Sequence, residues 1–286
     1  MHYRLLGIDL DGTLLDSRGR ISVKNAAAVA RAQAEGVMVV PCTGRAWCES
    51  FHAIELLTGM ELGVFVTGAA ICRIDSGRSI DLLAIDPQLA HQVVALLFDL
   101  PEAVLVFREK TLAGHDYLVT GRGELTGNTE WWFKHNQAVV KYQDEVTADD
   151  LHHTLRVGVV ASGRRIEKIL ALLQQEMGRA IIAHYFVAVQ MPDPDQSMYV
   201  LEAFAPGVDK WRGLQWIAAE HEIEDHQIAV IGDEINDVSM LRGAGCGIAM
   251  ANAVARTRQV ARYHTLSNDE NGVAYAIDQL MNGSWR

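Results

Sequence analysis

Residues 5–13 read Leu5-Leu6-Gly7-Ile8-Asp9-Leu10-Asp11-Gly12-Thr13, a short apolar run that ends in two aspartates and a glycine. An unbroken apolar run bounded by polar turn residues reads as a strand covered on both faces. Asp9 and Asp11 are two apart, so they share a side while the chain stays extended. Both then face one site at the carboxyl end of the strand, where open α/β sheets bind ligands. Gly12 permits a sharp turn. Two adjacent carboxylates repel, and one holds a proton unless a cation intervenes. That suits a nucleophile beside a general acid/base. An Asp-Gly surface turn uses the same residues. A calcium loop fits less well, because Thr13 and Leu14 stand where an acid and a glycine are expected.

The same pattern recurs outward from this stretch. Val37 to Val40, Val64 to Val66, Ile228 to Ile231 and Ile248 to Met250 are further apolar runs. Between them lie helical patterns: one capped by Ser22 and stopped by Gly36, another over Ala46 to Leu57. Strands alternating with helices predict an α/β fold, a Rossmann-like parallel sheet with helices on both faces. The middle of the chain differs. Asp86-Pro87 starts a helix to Leu100, and strands follow at Val104 to Phe107, Tyr117 to Thr120 and Leu155 to Val160. A helix over Arg165 to Met177 and a strand over Ile181 to Gln190 complete an inserted α+β domain. Its junctions fall near Asp81 to Asp86 and at the turn-rich Pro192 to Gln196. The expected division is a core of 1–81 and 197–286 around an insertion of 82–196.

Three further motifs follow apolar runs or open a helix. Thr43-Gly44-Arg45 offers a hydroxyl and backbone N–H groups to an anion, or simply caps a helix. Lys210 begins a helix to Glu220, where its ammonium adds a positive charge to such a site or faces solvent. Gly232-Asp233-Glu234-Ile235-Asn236-Asp237 brings oxygen ligands suited to magnesium, or an acidic helix start favoured by the helix dipole. Taken jointly these residues supply a nucleophile, a proton donor, phosphate donors, a cation and metal ligands.

The net charge of −11 argues against non-specific nucleic-acid binding. With 49% hydrophobic and 21% charged residues, a folded globular protein is expected. No apolar stretch approaches a membrane span, and no signal peptide is read at the start. Cys42, Cys48, Cys72 and Cys246 lack metal-binding spacing and read as reduced thiols of a cytoplasmic protein. His221 and His226 are one residue too far apart to share a helix face as zinc ligands. Oligomeric state leaves no mark.

The four motifs, in this order, resemble the haloacid dehalogenase superfamily of phosphohydrolases. The large insertion is similar to its second cap type. Gly247 to Ala253 and Asn268 to Ala274 resemble trailing segments of the Cof-type subfamily. The resemblance implies a magnesium-dependent phosphatase acting on a small phosphorylated metabolite, such as a sugar phosphate or phosphorylated cofactor. It implies Asp9 as nucleophile and Asp11 as general acid/base, with Thr43, Gly44 and Lys210 holding the phosphoryl group. Mg2+ would be bound by the Asp9 side chain, the Asp11 carbonyl and Asp233, with Asn236 and Asp237 behind them. The insertion would be the substrate-specificity cap. Trp131-Trp132-Phe133, His135, His152 and His153 in it read as core packing or a subunit interface more readily than as a pocket. Two positions depart from the Cof-type pattern: Thr67-Gly68 stands for Asn-Gly, and Asn271 for Asp. The alternatives are a phosphosugar mutase using the same aspartyl phosphate, or a non-catalytic binding module on the same fold.

Overall fold

The computed structural model describes residues 2–55, 57–189 and 191–285. From the start of the chain come β1 (Leu5–Ile8), α1 (Val23–Ala34), β2 (Met38–Pro41), α2 (Trp47–Ile54), β3 (Leu62–Phe65), β4 (Ala70–Arg73) and β5 (Ser79–Leu82). Then follow α3 (Pro87–Leu97), β6 (Val104–Arg108), α4 (Lys110–Ala113), β7 (Tyr117–Thr120), α5 (Gly127–His135), β8 (Val140–Tyr142), β9 (Thr154–Ser162), α6 (Gly163–Met177), β10 (Ile182–Val189) and β11 (Met198–Phe204). The chain finishes with α7 (Lys210–Glu220), β12 (Ile228–Gly232), α8 (Val238–Gly243), β13 (Cys246–Ala249), α9 (Ala255–Val260), β14 (Tyr263–His264) and α10 (Gly272–Met281).

These elements form two compact units, residues 1–81 with 209–286 and residues 82–208. The first unit is built on a parallel sheet in the order β14-β13-β12-β1-β2. Leu5, Val40 and Val230 pack on one face against Leu214 and Ile217 of α7 and Leu241 of α8. Leu6 and Ile8 point the other way and are equally buried, on the side served by α1 and α10, which pack together. Such two-sided burial is why these strands carry no polar alternation. Ser22 accepts the Asn25 N–H at the start of α1, as its capping role requires.

One strand expectation is corrected. Val64 to Val66 was read as another parallel strand, but Leu62–Phe65 pairs antiparallel with Ala70–Arg73 in a separate three-stranded sheet, β3-β4-β5. A parallel bridge, Cys42 to Val64, ties it beside β2. Val66 lies past its end.

The second unit carries a six-stranded sheet, β10-β11-β9-β6-β7-β8, antiparallel except between β7 and β8. Val104, Val106, Val157, Val159, Leu201 and Ala203 form one buried face, where α3 and α6 pack. The opposite face holds a buried ion pair, Arg156 to Glu202 at 2.8 Å, with Arg156 also donating to the Tyr117 hydroxyl at 2.6 Å. Here the expected boundary at 196/197 is displaced. Pro192 to Gln196 lies between the hairpin strands β10 and β11, and Met198–Phe204 lies inside this sheet. Gln190, read as the end of a strand, lies outside the described residues. Among the described residues no helix is long and apolar enough to cross a membrane.

Candidate active site

The parallel strands deliver their polar ends to one place. Past β1, the Asp9 N–H is held by the Ile231 carbonyl at 3.0 Å, so the strand pairing extends to the first aspartate. Asp11 keeps an extended conformation, and the chain then turns at Gly12 with φ +75°. Lys210, the first residue of α7, is 1% exposed and donates to Asp9 Oδ1 and to Asp237 Oδ1, each at 2.6 Å. Asp237 Oδ2 accepts the N–H groups of Asp233 and Glu234 at 2.8 and 2.9 Å. Both oxygens of Asp237 are therefore engaged. Asp233 Oδ1 accepts the Thr13 hydroxyl at 2.7 Å. Asp9, Asp233 and Asp237 form a buried group in which one carboxylate oxygen of each lies within 4.8 Å of the others.

Three buried carboxylates thus gather around one ammonium, which pairs with two of them, Asp9 and Asp237. Burial first, then the neighbouring Asp237 carboxylate, raise the Asp9 pKa well above its ordinary value, with Lys210 opposing. The same two causes push Asp233 up to about 7. Burial disfavours the Lys210 ammonium, yet Asp237 and Asp9 outweigh it and raise its pKa. The cluster lacks positive charge, and its oxygen donors are those a hard divalent cation takes.

Thr43 is buried, with its N–H on the Val64 carbonyl at 2.9 Å and its Oγ1 accepting the Arg45 N–H at 3.1 Å. Gly44 lies beside Asn236: a Cβ built on it would stand 3.6 Å from Asn236 Nδ2. The Asp11 carboxylate lies elsewhere than its spacing implies. It is half-exposed and makes a two-pronged ion pair with Arg45, Nε to Oδ2 at 2.7 Å and the second prong to Oδ1. The structure therefore brings Asp9, Lys210, Asp233 and Asp237 together, and leaves the Asp11 side chain on Arg45.

The profile of the family described as haloacid dehalogenase-like hydrolase matches residues 6–277. The chain belongs to that family. A Bacillus subtilis relative described as a 5-amino-6-(5-phospho-D-ribitylamino)uracil phosphatase is 27% identical over 296 residues, covering 99% of each chain. A second Bacillus subtilis protein of that description is 29% identical over 283 residues, covering 94% of each. A crystal structure of a haloacid dehalogenase-like hydrolase from Bacteroides thetaiotaomicron shares the fold with a TM-score of 0.75 at 23% identity, covering 97% of this chain and 99% of its own. The resemblance read from the motifs is borne out.

In this haloacid dehalogenase-like hydrolase several site residues escaped the sequence reading. Arg45 stands in the Thr43-Gly44-Arg45 motif, but its pairing with Asp11 spans 34 positions and has no local signal. Thr13 orients Asp233 across 220 positions. Asn252 donates to the Gly12 carbonyl at 2.8 Å, and its Oδ1 accepts the Asn268 N–H at 3.0 Å. Asn268 also donates to the Leu15 carbonyl at 2.9 Å. The trailing segments of the sequence therefore brace the Asp9–Leu15 loop. In the second unit, Phe133 is buried against Tyr117, whereas Trp131 is 59% exposed and stacked on His135.

Proposed function

We propose that this hydrolase is a magnesium-dependent phosphatase of small phosphorylated metabolites that works through an aspartyl phosphate on Asp9. The observation that carries the reading is buried Lys210 bridging Asp9 and Asp237, with Asp233 in the same cluster. A structural salt bridge needs one carboxylate; two on one buried lysine with a third beside them is costly unless a cation offsets it. Asp9 and Asp233, with the Asp11 carbonyl, would hold Mg2+, since Asp237 is spent on Lys210 and two N–H groups. When bound, the ion neutralises charge on the phosphoryl oxygens and on the carboxylates.

Asp9 attacks phosphorus through a carboxylate oxygen, and the bond from phosphorus to the ester oxygen breaks. Lys210 orients Asp9 and offers positive charge to the phosphoryl group. Thr43 and Gly44 hold its oxygens. Asp11 gives its proton to the departing alkoxide and then takes one from the water that attacks the aspartyl phosphate. For that work the Asp11 side chain leaves Arg45 and turns toward phosphorus. Asn236 and Asp237 support the site from behind. Residues 82–208 serve as the substrate-specificity cap. The Bacillus subtilis relatives make 5-amino-6-(5-phospho-D-ribitylamino)uracil the first compound to try.

The test is phosphate release from a panel containing that compound, sugar phosphates and nucleotides, with magnesium and with chelator. Release that needs magnesium and vanishes in Asp9→Asn is expected. Asp11→Asn should lower release sharply, because the first step loses its acid and the second its base. Turnover that survives Asp9→Asn would remove Asp9 from the chemistry. Phosphate moved within a sugar rather than released would make the protein a mutase.

A further inference from the structure

Val66 and Thr67 hold φ angles of +50° and +57°, and Gly68 follows at +100°. A left-handed backbone is costly at β-branched residues and persists where the surroundings enforce it. Here they do. The Thr67 N–H is tied to the Thr43 carbonyl at 3.0 Å, and Arg212 donates to the Gly68 carbonyl at 3.1 Å. Any side chain on Gly68 would run into the Asp209 carbonyl. The turn is thus clamped between the Thr43-Gly44 loop and the start of the helix that carries Lys210.

The side chain presented by this strained turn is unusual. Thr67 is 4% exposed, yet its Oγ1 has no hydrogen-bond partner. It lies 3.4 Å from the point where a Cβ on Gly44 would stand, and Asn236 Nδ2 lies 3.6 Å from the same point. Buried polar atoms are almost always bonded, so an orphaned hydroxyl beside a glycine of a phosphate loop marks a place completed by a ligand atom. Gly44 carries no side chain to fill it.

We infer that the Thr67 hydroxyl forms a subsite over Gly44 that receives an oxygen of a phosphoryl group, with the Thr67 O–H as the donor to it. This rests on the phosphatase reading and adds a binding residue that the motifs do not contain. Valine is the isostere of choice, since it keeps the volume and β-branching and removes only the hydroxyl.

The experiment measures orthophosphate binding in magnesium by calorimetry, with Tm and ester hydrolysis, for wild type, Thr67→Val and Thr67→Ser. Thr67→Val should keep or raise the Tm, because it removes an unsatisfied hydroxyl, and should weaken orthophosphate roughly ten- to a hundredfold, the span of a hydrogen bond to a charged group. Thr67→Ser should restore most of that affinity. Equal binding by wild type and Thr67→Val, or a Thr67→Ser variant as weak as Thr67→Val, overturns the subsite. A lowered Tm in Thr67→Val alone would show a structural hydroxyl and overturn it too. If wild-type protein hydrolyses esters while Thr67→Val binds phosphate normally, only this inference falls. If wild type neither binds orthophosphate nor hydrolyses any ester, the phosphatase reading falls with it.

Discussion

At Gly12 the backbone is left-handed, and a side chain built there would collide with the Asp233 carboxylate. Gly12→Ala combines backbone strain with displacement of a proposed metal ligand. The magnesium concentration for half-maximal activity should rise by about tenfold or more, corresponding to at least ~1.4 kcal/mol; an unchanged magnesium titration would show that Asp233 does not depend on this contact. His115 gives a pH prediction away from the site. Burial first, then the Arg108 guanidinium 3.2 Å away, hold its pKa below the ordinary value, with Lys141 adding to the effect and a hydrogen bond to the Ala113 backbone and then Asp116 opposing it. As pH falls through the unfolded value of about 6.5, the unfolded chain takes up a proton before the folded one does. Stability is therefore present above that pH and is lost progressively below it. His115→Gln should flatten the fall in Tm between neutral and acidic pH; the same fall in the variant would place the titration elsewhere. At this scale the sequence was legible where a motif names a residue: Asp9, Lys210, Asp233 and Asp237 do meet. The Asp11 side chain was misplaced, because spacing along a strand says nothing of a guanidinium arriving from another loop.

Element ends followed from local chemistry, and pairing partners did not. Ser22 before α1 and Asp86-Pro87 before α3 act as caps, the latter with Asp86 accepting the Gln88 and Leu89 N–H groups. Ser22 also donates to Asn271 Oδ1 at 2.7 Å, so Ser22→Ala removes a cap and orphans an amide. A loss of about 1–2 kcal/mol in chemical denaturation is expected; no loss would mean that water replaces both bonds. The hairpin of β4 and β5 leaves no signal in the sequence, because Ala70–Arg73 and Ser79–Leu82 are too short to show a period. The segment Met198–Phe204 was assigned to the wrong unit, because hairpin turns and interdomain linkers are made of the same residues, here Pro192 to Gln196. The parallel strands were easier, since burial on both faces writes itself as an apolar run.

The division of the molecule into two units was legible as a change of pattern, from strands alternating with helices to hairpins with a few helices. Residues 82–208 are continuous in sequence and own a buried sheet face under α3 and α6. Expressed alone they should unfold in one cooperative transition; a chain without cooperative unfolding would show that the insertion needs the rest of the protein. The other unit has the opposite character. Its first strand β1 pairs with β2, close behind it, and with β12, where Leu5 meets Ile228. During translation, then, the insertion has all its strands while β1 still presents an open edge, with the segment that covers it not yet made. Leu5–Ile8 has no charge and no proline to discourage stray pairing. The period between emergence of Val208 and of Ile228 from the ribosome is where this nascent chain is most exposed to aggregation, and where a chaperone would have most to protect.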